Sequence, residues 1–326
     1  MTTDRKHIVI WLSITAFMVF AMAVIGAITR LTESGLSMVE WRPLIGALPP
    51  INEEEWLRVF ALYKESPEFA QQHSWMALGD FKKIFFWEWF HRLWGRTIGL
   101  VYALPLLYFW IRKMIPAGFH ARLFFLFILG GGQGVMGWYM VQSGLIDVPS
   151  VSHYRLAAHL FLAVILFTGL VWTALDLKMG QTKWTWDNFC LKRHGLVSLG
   201  FLFTTIIWGA FVAGLDGGMV YNTWPMMGGE WIPTEVGANN TLHSDPVVVQ
   251  FFHRWIAMLS GLVIFAYALR VKSWALSGMI FLQIGLGIST LLTQVWIPLA
   301  ALHQAGALIL LTLLLKSMHS RFEKSE

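Results

Sequence analysis

The chain has 326 residues, of which 56% are hydrophobic and only 13% are charged, and its mean hydropathy is +0.57. A soluble domain carries about 25% charged residues, so this chain lacks the charge to cover a water-facing surface. Its net charge of +5 comes from basic residues that are dispersed along the chain. These values exclude a soluble enzyme, a disordered protein and a nucleic-acid binder, and they indicate an integral membrane protein in contact with lipid.

Eight apolar runs are long enough to cross a membrane, and charged or Gly/Pro-rich segments separate them. Only helices satisfy their backbone polar groups across such lengths of lipid, so we predict an all-α membrane protein with eight spans. The predicted spans are 8–28, 89–110, 123–142, 155–175, 195–214, 249–269, 275–294 and 297–315. The first run is too long for the apolar core of a signal peptide, and we interpret it as the first span.

The distribution of Lys and Arg predicts that both termini lie on the cytoplasmic side, because basic residues concentrate in inner segments. The predicted outer loop 215–248 contains neither Lys nor Arg. The first outer loop, about 30–87, is mixed in charge, but long loops weigh less in this rule. Within that loop, the stretch 52–69 has the pattern of a short amphipathic helix.

The two halves of the sequence resemble each other. Residues 88–100 align with 250–262, residues 25–41 align with 208–224, and QGVMG at 133–137 aligns with QIGLG at 283–287. The alignment retains the pairs Gly26/Gly209, Gly35/Gly218 and Trp41/Trp224. We therefore predict two pseudo-symmetric four-helix bundles, residues 1–178 and 179–326, related by an axis along the membrane normal.

Four of the eleven histidines fall inside predicted spans in the outer half of the membrane: His91, His159, His253 and His303. Ionisable residues at such depth are costly and are therefore functional candidates. They form one pair per half, on alternate helices. We expect most of the others to be solvated loop residues (His7, His73, His120, His194, His243 and His319), while His153 lies at the outer mouth of the fourth span with an open role.

Two imidazoles on facing helices are suited to the two axial positions of a heme. Their spacing differs from that of a zinc protease motif, and the single cysteine, Cys190, excludes an intramolecular disulfide and a CxxCH heme attachment. Arg92 and Arg254 each follow the first histidine of a pair. These arginines are suited to bind heme propionates, although snorkelling to the membrane interface explains them equally well.

The halves differ at one informative position. Glu88 lies three residues before His91, on the same helix face, whereas the equivalent residue before His253 is Gln250. A carboxyl group near a heme edge accepts or relays a proton, or stabilises a developing cation. The alternative is an interfacial glutamate paired with Arg92.

The chain resembles heme A synthase, in the branch found in alphaproteobacteria and mitochondria. The segments that carry the resemblance are RLTESGLSMVEW, EWFHRLWGR, GAFVAGLDGGMVYNTWP and VQFFHR. The resemblance covers essentially the whole chain. It departs from some bacterial members of the family, which have a cysteine pair in the first outer loop, because that loop contains no cysteine here.

The resemblance implies oxidation of the C8 methyl group of heme O to a formyl group, giving heme A for terminal oxidases. It places a heme b cofactor on His253 and His303, puts the iron of the substrate heme on His91 and His159, and makes Glu88 the catalytic carboxylate. It further implies a bacterial inner-membrane location. Candidate partners are heme O synthase, terminal oxidase assembly factors and a second copy of the chain.

Two other functions are compatible with four intramembrane histidines. A diheme b electron-transfer cytochrome holds two permanent hemes and has no need of the Glu88/Gln250 difference. A heme transporter or chaperone exchanges its heme and makes no redox product. The motif match favours heme A synthase over both.

Overall fold

The computed structural model describes residues 3–40, 45–145, 149–183, 189–237, 242–321 and 323–324. Trp41, one of the repeat-matched residues, lies outside this part of the chain. The helices are α1 (Thr3–Leu31), α2 (Glu53–Lys64), α3 (Leu78–Ile111), α4 (His120–Gln142), α5 (His153–Met179), α6 (Phe189–Gly214), α7 (Pro246–Arg270), α8 (Trp274–Leu292) and α9 (Ile297–Arg321). Two two-residue strands, β1 (Thr182–Lys183) and β2 (Glu323–Lys324), pair antiparallel.

The predicted spans coincide with helices of this fold. Seven helices in the described part of the chain are long and apolar enough to cross a membrane, namely α1 and α4–α9. The chain is therefore a multi-pass, helical membrane protein. The predicted span 89–110 lies within α3, which is not among the seven and which carries the charged residues Glu88, Arg92 and Arg96. The predicted span 275–294 extends too far, since α8 ends at Leu292 and Gln294 has a left-handed backbone.

The predicted amphipathic helix of the first long loop is present as α2. The Asn52 side chain caps it by accepting a hydrogen bond from the Glu55 N–H, as helix N-termini prefer. Its buried face packs on the start of α3 through a hydrophobic cluster of Phe60, Tyr63, Phe81, Ile84 and Phe85. This cluster fixes the loop against the helix that carries Glu88 and His91.

The membrane helices pack in a pattern that follows the sequence repeat. Helix α1 packs on α3 and α5, and α4 packs on α5; in the second half, α6 packs on α7, and α8 packs on α7 and α9. Contacts between the halves join α5 to α6, α1 to α9, and α5 to α9. In the repeat, α1 corresponds to α6, and α5 corresponds to α9. The contact of α5 with α6 therefore corresponds to the contact of α9 with α1.

Two polar contacts join the halves at opposite ends of the helices. Arg30, at the end of α1, donates two hydrogen bonds of 2.9 Å to the Asp216 carboxylate after α6. At the other end, the buried carboxylate of Asp176 on α5 accepts from Arg122 of α4 and lies 2.9 Å from Nε2 of His319 on α9. Both contacts connect side chains that the sequence separates widely.

Two of the histidines expected in solvent are buried, so that prediction was wrong for them. His319 is fully buried against Asp176 and the ring of Trp172. His73 is buried beneath α2, bonded to Tyr63 and Glu33. Both errors have the same cause, because a polar loop or helix end becomes buried when a distant carboxylate partner packs against it. His194 is half-buried beside Arg270, whereas His7, His120 and His243 are exposed.

Candidate functional site

Each of the four intramembrane histidines faces a glycine on a neighbouring helix. His91 on α3 lies against Gly26 of α1, and His253 on α7 lies against Gly209 of α6. A Cβ atom at either glycine would lie 3.2 Å from Cε1 of the facing imidazole. Since Gly26 and Gly209 are repeat-matched residues, the two halves hold their first histidine in the same way.

The second histidine of each half repeats this arrangement on the other helix pair. His159 on α5 faces Gly137 of α4, and His303 on α9 faces Gly287 of α8. A Cβ atom would lie 3.4 Å from the first ring and 2.9 Å from the second. The absence of a side chain at these positions lets the backbone approach the imidazole closely.

Repeat-related glutamines bind the helices that carry the second histidines. The Gln133 amide donates to the His159 carbonyl at 3.4 Å, and the Gln283 amide donates to the His303 carbonyl at 2.9 Å. The same Gln283 nitrogen lies 3.2 Å from Nδ1 of His303. Sequence reasoning aligned these glutamines without assigning them a role; their position in the repeated Gln-x-x-x-Gly segment was the available signal.

The histidines of each half are near one another and fit the axial positions of a heme. His91 lies within electrostatic range of His159, and His253 lies within range of His303. All four rings are enclosed by protein yet retain some accessible surface. Within the described residues, the buried Nδ1 atoms of His91 and His159 have no hydrogen-bond partner of normal geometry.

Glu88 is held by donors from three directions. One carboxylate oxygen accepts from the Ser37 hydroxyl at 2.7 Å and from the Met38 N–H at 2.6 Å, and the other accepts from Arg92 at 2.6 Å. The residue is only 3% exposed. These hydrogen bonds tie the segment after α1 to α3.

Gln250 occupies the equivalent place in the second half with the opposite hydrogen-bond polarity. Its side-chain nitrogen donates to the Tyr221 carbonyl at 3.0 Å, and its oxygen accepts from Arg254 at 3.2 Å. Tyr221 is the repeat counterpart of Met38. The Met38 backbone therefore donates its N–H to Glu88, whereas the Tyr221 backbone accepts from Gln250 through its carbonyl. Each side chain thus complements the backbone group that it faces.

Arg92 and Arg254 also have repeat-related partners. Arg92 donates to the Met38 carbonyl at 3.1 Å, and Arg254 donates to the Tyr221 carbonyl at 2.7 Å and the Thr223 carbonyl at 2.8 Å. Both guanidinium groups thus anchor the segment that follows the first helix of their half. Sequence reasoning missed these backbone partners, because a sequence alignment does not show which carbonyl an arginine reaches.

Comparison with known proteins identifies the family of this chain. A family model described as cytochrome oxidase assembly protein matches residues 9–315. A relative named heme A synthase from Rhodospirillum centenum is 46% identical, covering 96% of this chain and 88% of the relative. Relatives with the same name from Maricaulis maris and Parvibaculum lavamentivorans are each 43% identical; the matches cover 95% and 94% of this chain, and 94% and 92% of the relatives. The resemblance predicted from the motifs is confirmed, and the chain belongs to the heme A synthase family of cytochrome oxidase assembly proteins.

Proposed function

We propose that this protein is a heme A synthase that oxidises the C8 methyl group of heme O to a formyl group, giving heme A. Besides the family membership, one observation carries the proposal. Two repeat-related histidine pairs are built alike, but only the N-terminal pair has a buried carboxylate, Glu88, on the same helix. An enzyme with one cofactor heme and one substrate heme needs such a difference, whereas two electron-carrying hemes do not.

This activity is tested by determining which hemes the cells contain. Cells that co-express the chain with a heme O synthase are extracted, and their hemes are separated by chromatography. We expect heme A to appear only when both proteins are present. Heme O alone, together with two tightly bound b hemes in the purified protein, would instead identify a diheme cytochrome.

In this proposal the C-terminal half binds the cofactor heme b through His253 and His303. The bound heme supplies a one-electron redox centre. Gln283 fixes the orientation of the His303 ring by its contact with Nδ1, and Arg254 holds the segment that follows α6. The close approaches of Gly209 and Gly287 to the two rings restrict their movement.

The N-terminal half binds heme O, with its iron on His91 and His159. The Glu88 side chain stabilises positive charge as it develops at the methyl carbon, because a fixed carboxylate in a water-poor site acts strongly on nearby charge. Ser37, Met38 and Arg92 keep that carboxylate in place. Arg92 and Arg254 remain candidates for propionate binding, because each directly follows the first histidine of its pair.

The division of labour between the halves is tested with single alanine variants. We expect His253→Ala and His303→Ala to lose most of the retained heme b, because each removes a histidine that would hold the heme iron. His91→Ala and His159→Ala keep heme b and lose turnover. Reduced-minus-oxidised spectra of the purified variants measure the retained heme, and equal loss of heme b from all four variants would contradict the division.

We further propose eight spans in two four-helix bundles, α1 with α3–α5 and α6–α9, with both termini on the cytoplasmic side of a bacterial inner membrane. The repeat-related packing and the Lys/Arg distribution support this arrangement. Reporter fusions at Pro116, Lys183 and Lys272 are expected to read inside, and fusions at Phe60 and Glu235 outside. An outside reading at Lys183 would reject this topology.

A further inference from the structure

Four titratable side chains form a continuous hydrogen-bonded chain in the loop between α1 and α3. We call Glu33, His73, Tyr63 and Glu68 the loop cluster. The Tyr63 hydroxyl lies 2.8 Å from a carboxylate oxygen of Glu68 and 2.6 Å from Nδ1 of His73. Nε2 of the same imidazole lies 3.0 Å from a carboxylate oxygen of Glu33. Each member contacts the next through one bond, so the order is Glu68, Tyr63, His73, Glu33.

The loop cluster connects a buried end to a solvent end. Tyr63 is fully buried, and Glu68 and His73 are each only 4% exposed. The Glu33 side chain, by contrast, is 56% exposed. Burial raises the pKa of Glu68 to about 8, and burial also raises the pKa of Tyr63. Tyr63 therefore stays a hydroxyl, while Glu68 exchanges a proton in the neutral to mildly alkaline range.

The hydrogen bonds of the loop cluster admit two arrangements that hold the same number of protons. In one, protonated Glu68 donates to Tyr63, Tyr63 donates to Nδ1 of His73, and Nε2–H donates to the Glu33 carboxylate. In the other, Tyr63 donates to ionised Glu68, and a doubly protonated His73 donates to both Tyr63 and Glu33. Two short proton shifts convert one arrangement into the other, and every hydrogen bond remains intact.

The loop cluster is linked to Glu88 by the turn that follows α1. Glu33 begins this turn with a left-handed backbone (φ 51°). Ser37 and Met38, at its end, donate to Glu88. The charged groups that face Glu68 and Tyr63 across the loop are Glu33, Glu88 and Arg30. The buried end of the cluster thus lies within electrostatic range of the carboxylate beside the substrate pair.

The second half has no equivalent arrangement at the corresponding residue. The repeat counterpart of Glu33 is Asp216, which has the same left-handed backbone (φ 51°). Asp216 binds Arg30 across the boundary between the halves instead of a histidine. Among the described residues, the turn after the first helix carries this arrangement in the half that contains Glu88, which indicates a role in that half's chemistry.

We propose that the loop cluster is a proton relay between the surroundings of Glu88 and the aqueous phase beside Glu33. This inference rests on the proposed heme A synthase activity. For each transfer, one proton enters at one end and one leaves at the other, and no electron or carbon bond takes part. Glu68, Tyr63 and His73 carry the proton, and Glu33 exchanges it with water. The relay runs in either direction, as each oxidation step requires.

Glu68→Gln tests the relay with little change of structure. The glutamine amide donates to Tyr63 as protonated Glu68 does. The variant therefore keeps the arrangement in which residue 68 donates to Tyr63, and it cannot release the proton that the other arrangement requires. We expect wild-type protein yield and retained heme b, with heme A formation slowed on the order of tenfold, below the ~10²–10⁴ of a direct acid–base group. The rate of heme A formation is measured in isolated membranes that contain heme O synthase, in H₂O and in D₂O, as a function of pH.

The pH and isotope dependence separates a relay from a purely structural contact. The wild-type rate should fall as pH rises above about 8, where Glu68 loses its proton, and should be slower in D₂O. Glu68→Gln and Tyr63→Phe should abolish the pH dependence. Tyr102→Phe is the matched control, because it removes a buried hydroxyl that donates to the Leu123 carbonyl at 2.8 Å and should leave rate and pH profile unchanged.

Each result has a defined meaning. Wild-type rate and pH profile in Glu68→Gln, while the wild-type protein makes heme A, would overturn the relay and leave the proposed function intact. Loss of heme b and protein in both Glu68→Gln and Tyr63→Phe would also overturn it, in favour of a structural role. Failure of the wild-type chain to make heme A would instead reject the proposed function.

Discussion

At the residue scale, the difference between the halves involves the backbone as well as the side chain at position 88. The sequence predicts that Glu88 and Gln250 are equivalent, and it predicts the lack of a carboxylate in the second half. It does not predict that Met38 presents its N–H while Tyr221 presents its carbonyl. Backbone orientation in a loop depends on contacts that are distant in sequence, so no local pattern carries this information.

These contacts change what Glu88→Gln is expected to do. A glutamine here places its NH₂ group against another donor, either the Met38 N–H or Arg92, so the variant does not copy the Gln250 arrangement. We expect it to retain heme b and to lose heme A formation about a hundredfold, as for removal of a catalytic carboxylate. Chromatography of extracted hemes measures the product and any hydroxylated intermediate.

Ser37→Ala is the control for the lost hydrogen bond. It removes one donor to Glu88 and leaves the carboxyl group with its bonds to Met38 and Arg92. Its effect on heme A formation should be much smaller than that of Glu88→Gln. Wild-type levels of heme A in Glu88→Gln would remove this residue from the catalytic role and leave it a structural partner of Arg92.

The raised pKa of Glu68 predicts a pH-dependent loop stability. Its pKa rises from the ordinary 4.5 to about 8 in the folded chain, mainly because of burial. The folded loop therefore binds a proton that the unfolded loop releases, and stability is lost as pH rises from about 4.5 to 8. Hydrogen exchange of residues 52–77 should become faster over this range in the wild type. Equal pH dependence in Glu68→Gln would contradict this assignment.

At the element scale, hydrophobic runs predict the position of the membrane helices well, because the lipid environment requires long apolar segments. The eight predicted spans lie within α1 and α3–α9, apart from the end of α8. The interior of the first loop is less predictable. Its α2 was expected, but the π-helical turn Phe69–His73 and the burial of His73 were not. Both depend on the aromatic contacts of α2 with α3.

The repeated glycine–histidine contacts between helices were only partly predictable. The sequence identifies Gly26/Gly209 and Gly137/Gly287 as equivalent pairs, but glycines serve many helix contacts. In the structure each of the four lies against a histidine ring. Their importance therefore follows from position across the helix interface, which requires the three-dimensional packing.

Gly287→Ala tests the tightest of these contacts. The added methyl group would lie 2.9 Å from Cε1 of His303, so the ring must shift, and overpacking of this kind costs about 1–3 kcal/mol. We expect a clear loss of heme b from the purified variant, measured by its reduced spectrum. Gly278→Ala on the same helix has open space at its Cβ position and should retain heme b; equal behaviour of the two variants would contradict the role of Gly287.

At the scale of the whole molecule, polar contacts at both ends of the helices supplement the apolar packing between the halves. The Arg30–Asp216 pair is largely solvated, since the Asp216 side chain is 70% exposed. The contact of Asp176 with Arg122 and His319 is buried around the carboxylate, which is 3% exposed. Neither was predicted, because the partners lie in segments that the sequence repeat does not pair.

Their different burial predicts different contributions to stability. Exposed ion pairs contribute about 0–1 kcal/mol, whereas the buried Asp176 carboxylate contacts both Arg122 and His319, and hydrogen bonds to charged groups contribute about 1.5–3 kcal/mol each. Asp176→Asn should therefore lower the thermal stability of the detergent-solubilised protein markedly, and Asp216→Asn should lower it little. Fluorescence-detected size-exclusion chromatography after heating measures both.

Variants of its partner residues should show whether Asp176 joins the two halves or stabilises only the first half. Asp176 binds Arg122 within the first half and His319 in the second. If it clamps the two halves, His319→Ala should reproduce much of the Asp176→Asn loss, because it removes the partner across the boundary. A variant with both changes should then be scarcely less stable than Asp176→Asn alone, since contacting residues do not contribute additively. Full additivity would show that the contact with His319 contributes nothing, leaving the halves joined at this end by apolar packing.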